Sequence, residues 1–260
     1  MLRHPILSLF ALVGALLLAS GCATVPVTGR RQLMLTTTSQ ENSLGATAYA
    51  EYKKQYKRSS NEQYNAVLSR VGAAISKVAG RDDFEWEFTV LESEEQNAFC
   101  LPGGKVAVYS GLMDIMRNEA ELACVVGHEI GHAVARHGGE RQSWGVLQSL
   151  GAKLFSNEYA AAAYGVGTQV GVILPFSRQN ESEADYIGLV LMAQAGYDPA
   201  AAVQFWQRFG SGEQGTLETF LSTHPAGAER IKDLQEKQQE VMPYYQQAAD
   251  RKGLGETLRH

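Results

Sequence analysis

Apolar residues recur with helical spacing over about residues 40–57 and 61–79, the second stretch ending at Gly80. Phe84-Glu85-Trp86-Glu87-Phe88-Thr89-Val90 alternates apolar and polar positions, the two-residue period of a half-buried strand. Lys105-Val106-Ala107-Val108-Tyr109 reads as a second strand, reached through a turn at Pro102-Gly103-Gly104. From Asn118 the period becomes helical again. Asn118 and Glu121 form a capping pair, Leu122, Val125, Val126, Ala133 and Val134 supply the buried face, and Gly138-Gly139 end the helix near residue 137. Further helices are expected at about 181–196, 198–209 and 226–240. The segment Tyr159–Phe176 is apolar, but its small residues, Thr168, Gln169 and Pro175 favour a helix beside the rest of the fold over a membrane hairpin. No repeat with a period of 20–50 residues is present. Many helices around two short strands predict an α+β architecture.

The first 21 residues follow a different pattern. Arg3 and His4 precede an apolar run from Ile6 to Ala19, about 14 residues, too short to span a bilayer as a helix. The run closes on Leu18-Ala19-Ser20-Gly21-Cys22, which resembles a bacterial lipobox. The expected organisation is a signal peptide over 1–21, a tether over 22–39 lipidated at Cys22, and a single domain over 40–260 that ends in a polar helical tail. Ala23 after the cysteine points to an outer-membrane lipoprotein facing the periplasm, attached to the membrane by its lipid. With Lys+Arg 23 against Asp+Glu 28, the net charge of −5 leaves no basic field for a nucleic acid. Three cysteines are too few for a disulfide scaffold, and nothing in the sequence brings Cys100 and Cys124 together.

The chemistry is concentrated at His128-Glu129-Ile130-Gly131-His132. Two histidines four residues apart share a helix face, so both imidazoles reach one metal ion. Glu129 is turned about 100° from His128, which sets its carboxylate beside the metal's open position as a general base. Composition alone would produce such a string about 0.015 times in a chain of this length. A catalytic zinc takes a third protein ligand. His137 has the wrong spacing for the metzincin pattern, and Cys124 would have to reach one ion along three helical turns. Glu181, at the start of the later helix in Ser177-Arg178-Gln179-Asn180-Glu181-Ser182-Glu183-Ala184-Asp185, is the better candidate. Asp185 lies one turn further on the same face, where it can hold the free N–H of a ligand histidine. Glu183 points elsewhere.

HEIGH followed by S-R-x-x-E-x-E-A-D resembles the HtpX and CAAX-prenyl-protease type of gluzincin metallopeptidase, and in particular its periplasmic lipoprotein branch. Val27-Thr28-Gly29-Arg30-Arg31-Gln32-Leu33, and Asn97-Ala98-Phe99 with Leu101-Pro102-Gly103-Gly104, are similar to that branch as well. The resemblance implies a helix-rich zincin domain with a small sheet and one zinc per chain on His128, His132 and Glu181. Glu129 and Asp185 would serve catalysis, the first as base and the second behind a ligand histidine. A His-Pro string like His224-Pro225 recurs near the cleft in such proteins, which makes His224 a reversible fourth ligand or a transition-state hydrogen-bond donor. The resemblance also implies unfolded or misassembled envelope proteins as substrates and an outer-membrane assembly machine as partner. Some members carry a C-terminal helical-repeat domain, and none is expected within residues 40–260. The expected function is a zinc metalloendopeptidase in protein quality control. The competing readings are a chaperone-like assembly factor with a closed or gated metal site, and a zinc hydrolase of small esters or amides.

Overall fold

The computed structural model describes residues 22–154, 174–210 and 228–258, together with 162, 165, 220 and 224. The expectations for residues 1–21, and most of those for Tyr159–Phe176, lie outside the described residues.

Two strands, β1 (Cys22–Thr24) and β2 (Arg31–Leu33), form an antiparallel hairpin that pairs Cys22 with Leu33. Helices α1 (Thr38–Gln55) and α2 (Glu62–Val78) follow. The main sheet comprises β3 (Glu87–Leu91), β4 (Ala98–Leu101) and β5 (Lys105–Tyr109) in the order β3-β5-β4, with β3 parallel and β4 antiparallel to the central β5. Gly103 and Gly104 both take positive φ in the β4–β5 turn, as the Pro-Gly-Gly string requires. Beyond a short α3 (Ser110–Met113) come α4 (Glu119–Val134), α5 (His137–Ala152), α6 (Leu174–Gln194), α7 (Ala200–Gly210) and α8 (Ala228–Gln247). The expected α+β class with a small sheet is what the chain adopts. Among the described residues no helix is long and apolar enough to cross a membrane.

One continuous core lies between the sheet and helices α2, α4, α6 and α7, centred on Leu68, Val71, Val106, Leu122, Ile130, Ile187 and Phe205. Within it α4 and α6 lie unusually close. A side chain at Gly131 would meet the carbonyl of Ala184 at 2.8 Å, and one at Gly127 would meet that of Gly188 at 2.9 Å. A side chain at Gly188 would meet the backbone N of His128 at 2.8 Å. These glycines therefore hold the two helix backbones near contact, where side chains of each reach past the other.

Three expectations are corrected. The stretch after Cys22, read as a tether, is a hairpin packed on the body: Val25 and Leu33 are buried, and Thr28 and Arg30 hydrogen-bond Glu183 on α6. Its Thr-rich composition resembles a linker, but Arg30 finds buried partners. The helix expected to end at Gly138-Gly139 breaks earlier, at Arg136, which adopts left-handed φ 59°. That costly conformation for a non-glycine residue is held by the Arg136 guanidinium, bonded to the Glu41 carboxylate at 2.8 and 3.0 Å and to the Thr36 carbonyl at 2.9 Å. Gly138 and Gly139 instead fall in the first turn of α5.

The polar tail is the third. After α8 the chain returns across the start of α4, where the carbonyls of Glu256 and Leu254 accept from the N–H groups of Glu119 and Ala120, and Leu258 is buried. Those are first-turn donors with no partner inside their own helix. The start of α4 is thus closed from both sides, since the side chain of Asn118 also accepts from Glu121 N at 3.0 Å, as the capping pattern requires.

Candidate metal centre

The close α4–α6 packing brings the His-Glu-x-x-His face against Glu181 and Asp185. His128 Nε2 and His132 Nε2 stand 3.1 Å apart, and the Glu181 carboxylate lies 3.4 Å from the first and 3.2 Å from the second. His224 enters between them, its Nδ1 3.0 Å from His128 Nε2 and 2.9 Å from Glu181. One donor atom from each of these four residues lies within 4.8 Å of all the others.

The donor set fits zinc. In a tetrahedral site with bonds of about 2.0–2.1 Å, donor atoms stand about 3.3 Å apart, close to the separations seen here. Protonation fits as well. The Asp185 carboxylate can only accept, so His128 Nδ1, 2.9 Å away, carries the proton and Nε2 presents a lone pair to the centre. His132 presents its own Nε2 across from it.

Electrostatics follow from burial and from these contacts. Burial opposes ionisation of Glu181, but hydrogen bonds to His128, His132 and His224 outweigh it and hold the carboxyl well below the usual carboxylate range. Burial alone would lower His128, yet Asp185 and Glu181 raise it to about 9. His132, with burial dominant and His128 adding to it, is lowered to about 3. The buried Glu129 is shifted up by desolvation, countered in part by His224 and His128. Its Oε1 accepts no hydrogen bond, and His224 Nε2 stands 3.4 Å away. A buried carboxylate oxygen left with that capacity, beside the donor set, is placed to accept a proton from a water or a substrate.

Two buried arms support the histidines from behind. On one, Asp185 receives His128 and also Arg230, whose Nε and Nη2 both donate at 2.8 Å. Arg230 stacks on Trp206 and donates to the His224 carbonyl at 3.2 Å. On the other, His132 Nδ1 meets His137 Nδ1 at 2.8 Å, and His137 Nε2 meets Glu183 at 3.0 Å.

The structure thus brings His128, Glu129, His132, Glu181, Asp185 and His224 together. It leaves Cys124 and His137 outside the donor set, and Cys100 and Cys124 form no disulfide with each other. The sequence reading gave no role to Arg230, Arg30 or Glu140 and set Glu183 aside. The available signal was that Glu183 and Arg30 each sit within a string already singled out. In the sheet β5 is central and paired on both sides, so among the described strands the edge next to α4 is β4.

Peptidase family M48 matches residues 62–238. The mitochondrial metalloendopeptidase OMA1 of Schizosaccharomyces pombe is 37% identical over 224 residues, covering 82% of this chain and 65% of the relative. The Arabidopsis thaliana protein of the same name is 38% identical over 192 residues, 72% of this chain and 38% of the relative. The beta-barrel assembly-enhancing protease of Yersinia pestis is 29% identical over 212 residues, 74% of this chain and 43% of the relative. The chain spans less than two thirds of the length of each. These matches overturn the expected location at a bacterial outer membrane, because the relatives of higher identity are mitochondrial proteins. Physically, small residues after an apolar run are a weak discriminator, and Cys22 itself opens a paired strand.

Proposed function

Because the chain belongs to peptidase family M48, we propose that it is a zinc-dependent metalloendopeptidase whose metal is held by His128, His132 and Glu181, with His224 as a displaceable fourth donor. The observation that carries this reading is the convergence of four donor atoms beside the unpartnered Oε1 of Glu129. When bound there, zinc supplies Lewis acidity, lowering the pKa of a water and polarising the scissile carbonyl. Glu129 accepts the proton of the attacking water and returns it to the leaving nitrogen, and its raised pKa suits both halves of that exchange. Asp185 acts through His128, fixing its tautomer. An extended polypeptide pairs with the free edge of β4, which orients backbone without reading sequence and suits unfolded or unassembled protein substrates.

Four protein donors favour a site that is closed until His224 leaves, since a catalytic zinc keeps one position for water. The test is cleavage of casein by the purified protein and by His224→Ala, with zinc measured in both. The reading expects metal-dependent cleavage, abolished by a chelator and restored by zinc, and faster turnover in His224→Ala at unchanged zinc content. Binding of casein without cleavage by either protein would instead establish a chaperone-like role.

A further inference from the structure

The second arm behind the donor set extends further than the first. Glu183 receives His137 Nε2 at 3.0 Å, Arg30 Nε at 2.7 Å and the hydroxyl of Thr28. The guanidinium of Arg30 turns its other face to Glu140 on α5, in a bidentate pair at 2.9 and 2.7 Å. Glu140, His137 and Glu183 are all at most 7% exposed. Arg30 and Thr28 come from the β1–β2 hairpin, about 150 residues from Glu183 in the chain.

Donor and acceptor counting fixes every proton along this line. Glu183 can only accept, so His137 Nε2 carries hydrogen and its Nδ1 is a lone pair. That lone pair can only accept from His132 Nδ1, which leaves His132 Nε2 free to face the metal. The geometry depends on the break at Arg136: in one continuous helix His137 would lie about 140° around the axis from His132. We infer that His137, Glu183 and Arg30 form a positioning relay by which the N-terminal hairpin sets the tautomer and ring orientation of the zinc ligand His132. The inference rests on the proposed zinc site.

The experiment is zinc affinity by competition with a chelating dye, on the full chain, for wild type, His137→Ala, Arg30→Ala and the double variant. Thermal unfolding of each metal-free form is recorded alongside. A partner that orients a metal ligand is worth about 10–100-fold in metal affinity. His137→Ala is expected to lose that much and Arg30→Ala about 3–10-fold. In the His137→Ala background Arg30→Ala is expected to change affinity less than about 2-fold, because the relay is already cut. Added imidazole should restore zinc affinity to His137→Ala and leave Arg30→Ala unchanged. Equal affinity in all four proteins overturns the relay while leaving the zinc reading intact. Additive losses without imidazole rescue overturn it in favour of a general packing role. Wild type binding no zinc removes the proposed site itself. If His137→Ala fails to fold, Arg30→Lys against Arg30→Ala makes the comparison, the relay requiring Lys to recover less than half of the lost affinity, since it cannot bridge Glu183 and Glu140 as a fork.

Discussion

The two arms behind the histidines solve one problem in different ways. His128 is held by a carboxylate in direct contact, Asp185, whose charge is answered by Arg230 from α8. His132 is held by a neutral imidazole that only then reaches a carboxylate, Glu183, answered by Arg30 from the hairpin. The first arm puts a negative charge against its ligand and raises that ligand to about 9, while the second leaves His132 lowered to about 3. Two histidines one turn apart on the same helix therefore differ in basicity because of what stands behind them. The difference teaches that a ligand's strength is set at the far nitrogen of its ring.

Removing the charge of the direct arm should have the largest effect. Asp185→Ala leaves Arg230 buried without its main carboxylate and is expected to destabilise the protein by about 3–5 kcal/mol, read by chemical denaturation, and to weaken zinc at least 10-fold. A smaller loss than that of His137→Ala would erase the distinction between the arms. Gly131→Ala strikes both arms together, since its methyl would press on the Ala184 carbonyl. The expected cost is about 1–3 kcal/mol, with zinc weakened even though no ligand is changed; unaltered affinity would show that the ligands tolerate a wider gap between α4 and α6.

pH separates the arms by sign. In metal-free protein the raised pKa of His128 gives stability that is complete below the unfolded value of about 6.5 and lost as pH rises through about 9. His137 is lowered by burial, so its neutral form gives stability that is present above about 6.5 and lost as pH falls below it. Melting temperatures from pH 5 to 9 should therefore show His128→Asn differing from wild type mostly on the acid side and His137→Asn mostly on the alkaline side. Parallel profiles would contradict the assignment. The smallest effect is expected from Thr28→Val at the exposed end of the relay, about 0.5–1.5 kcal/mol with less than a 3-fold change in zinc affinity.

How far each arm could be read in the sequence follows the same division. The His-Glu-x-x-His face, Glu181 and Asp185 are legible because helical periodicity alone places them, and the Asn118 cap marks the start of their helix. His224 was reachable through a short His-Pro string, and Lys105–Tyr109 was legible as a strand. The relay was not. It depends on a left-handed Arg136 whose stabilising partner, Glu41, lies 95 positions away. Glu183 sits two residues from each of Glu181 and Asp185, off their helix face, so its role appears only when the hairpin supplies Arg30. Strand order was hidden too, since two strands of similar pattern do not announce which one is central.

The most direct test of the central claim is made on one preparation of Glu129→Gln, with bound zinc and casein cleavage both measured. The account predicts about one zinc per chain, as in wild type, with cleavage reduced by several orders of magnitude, because Glu129 moves the proton and holds no metal. Cleavage at the wild-type rate, or loss of the metal with the substitution, would contradict it.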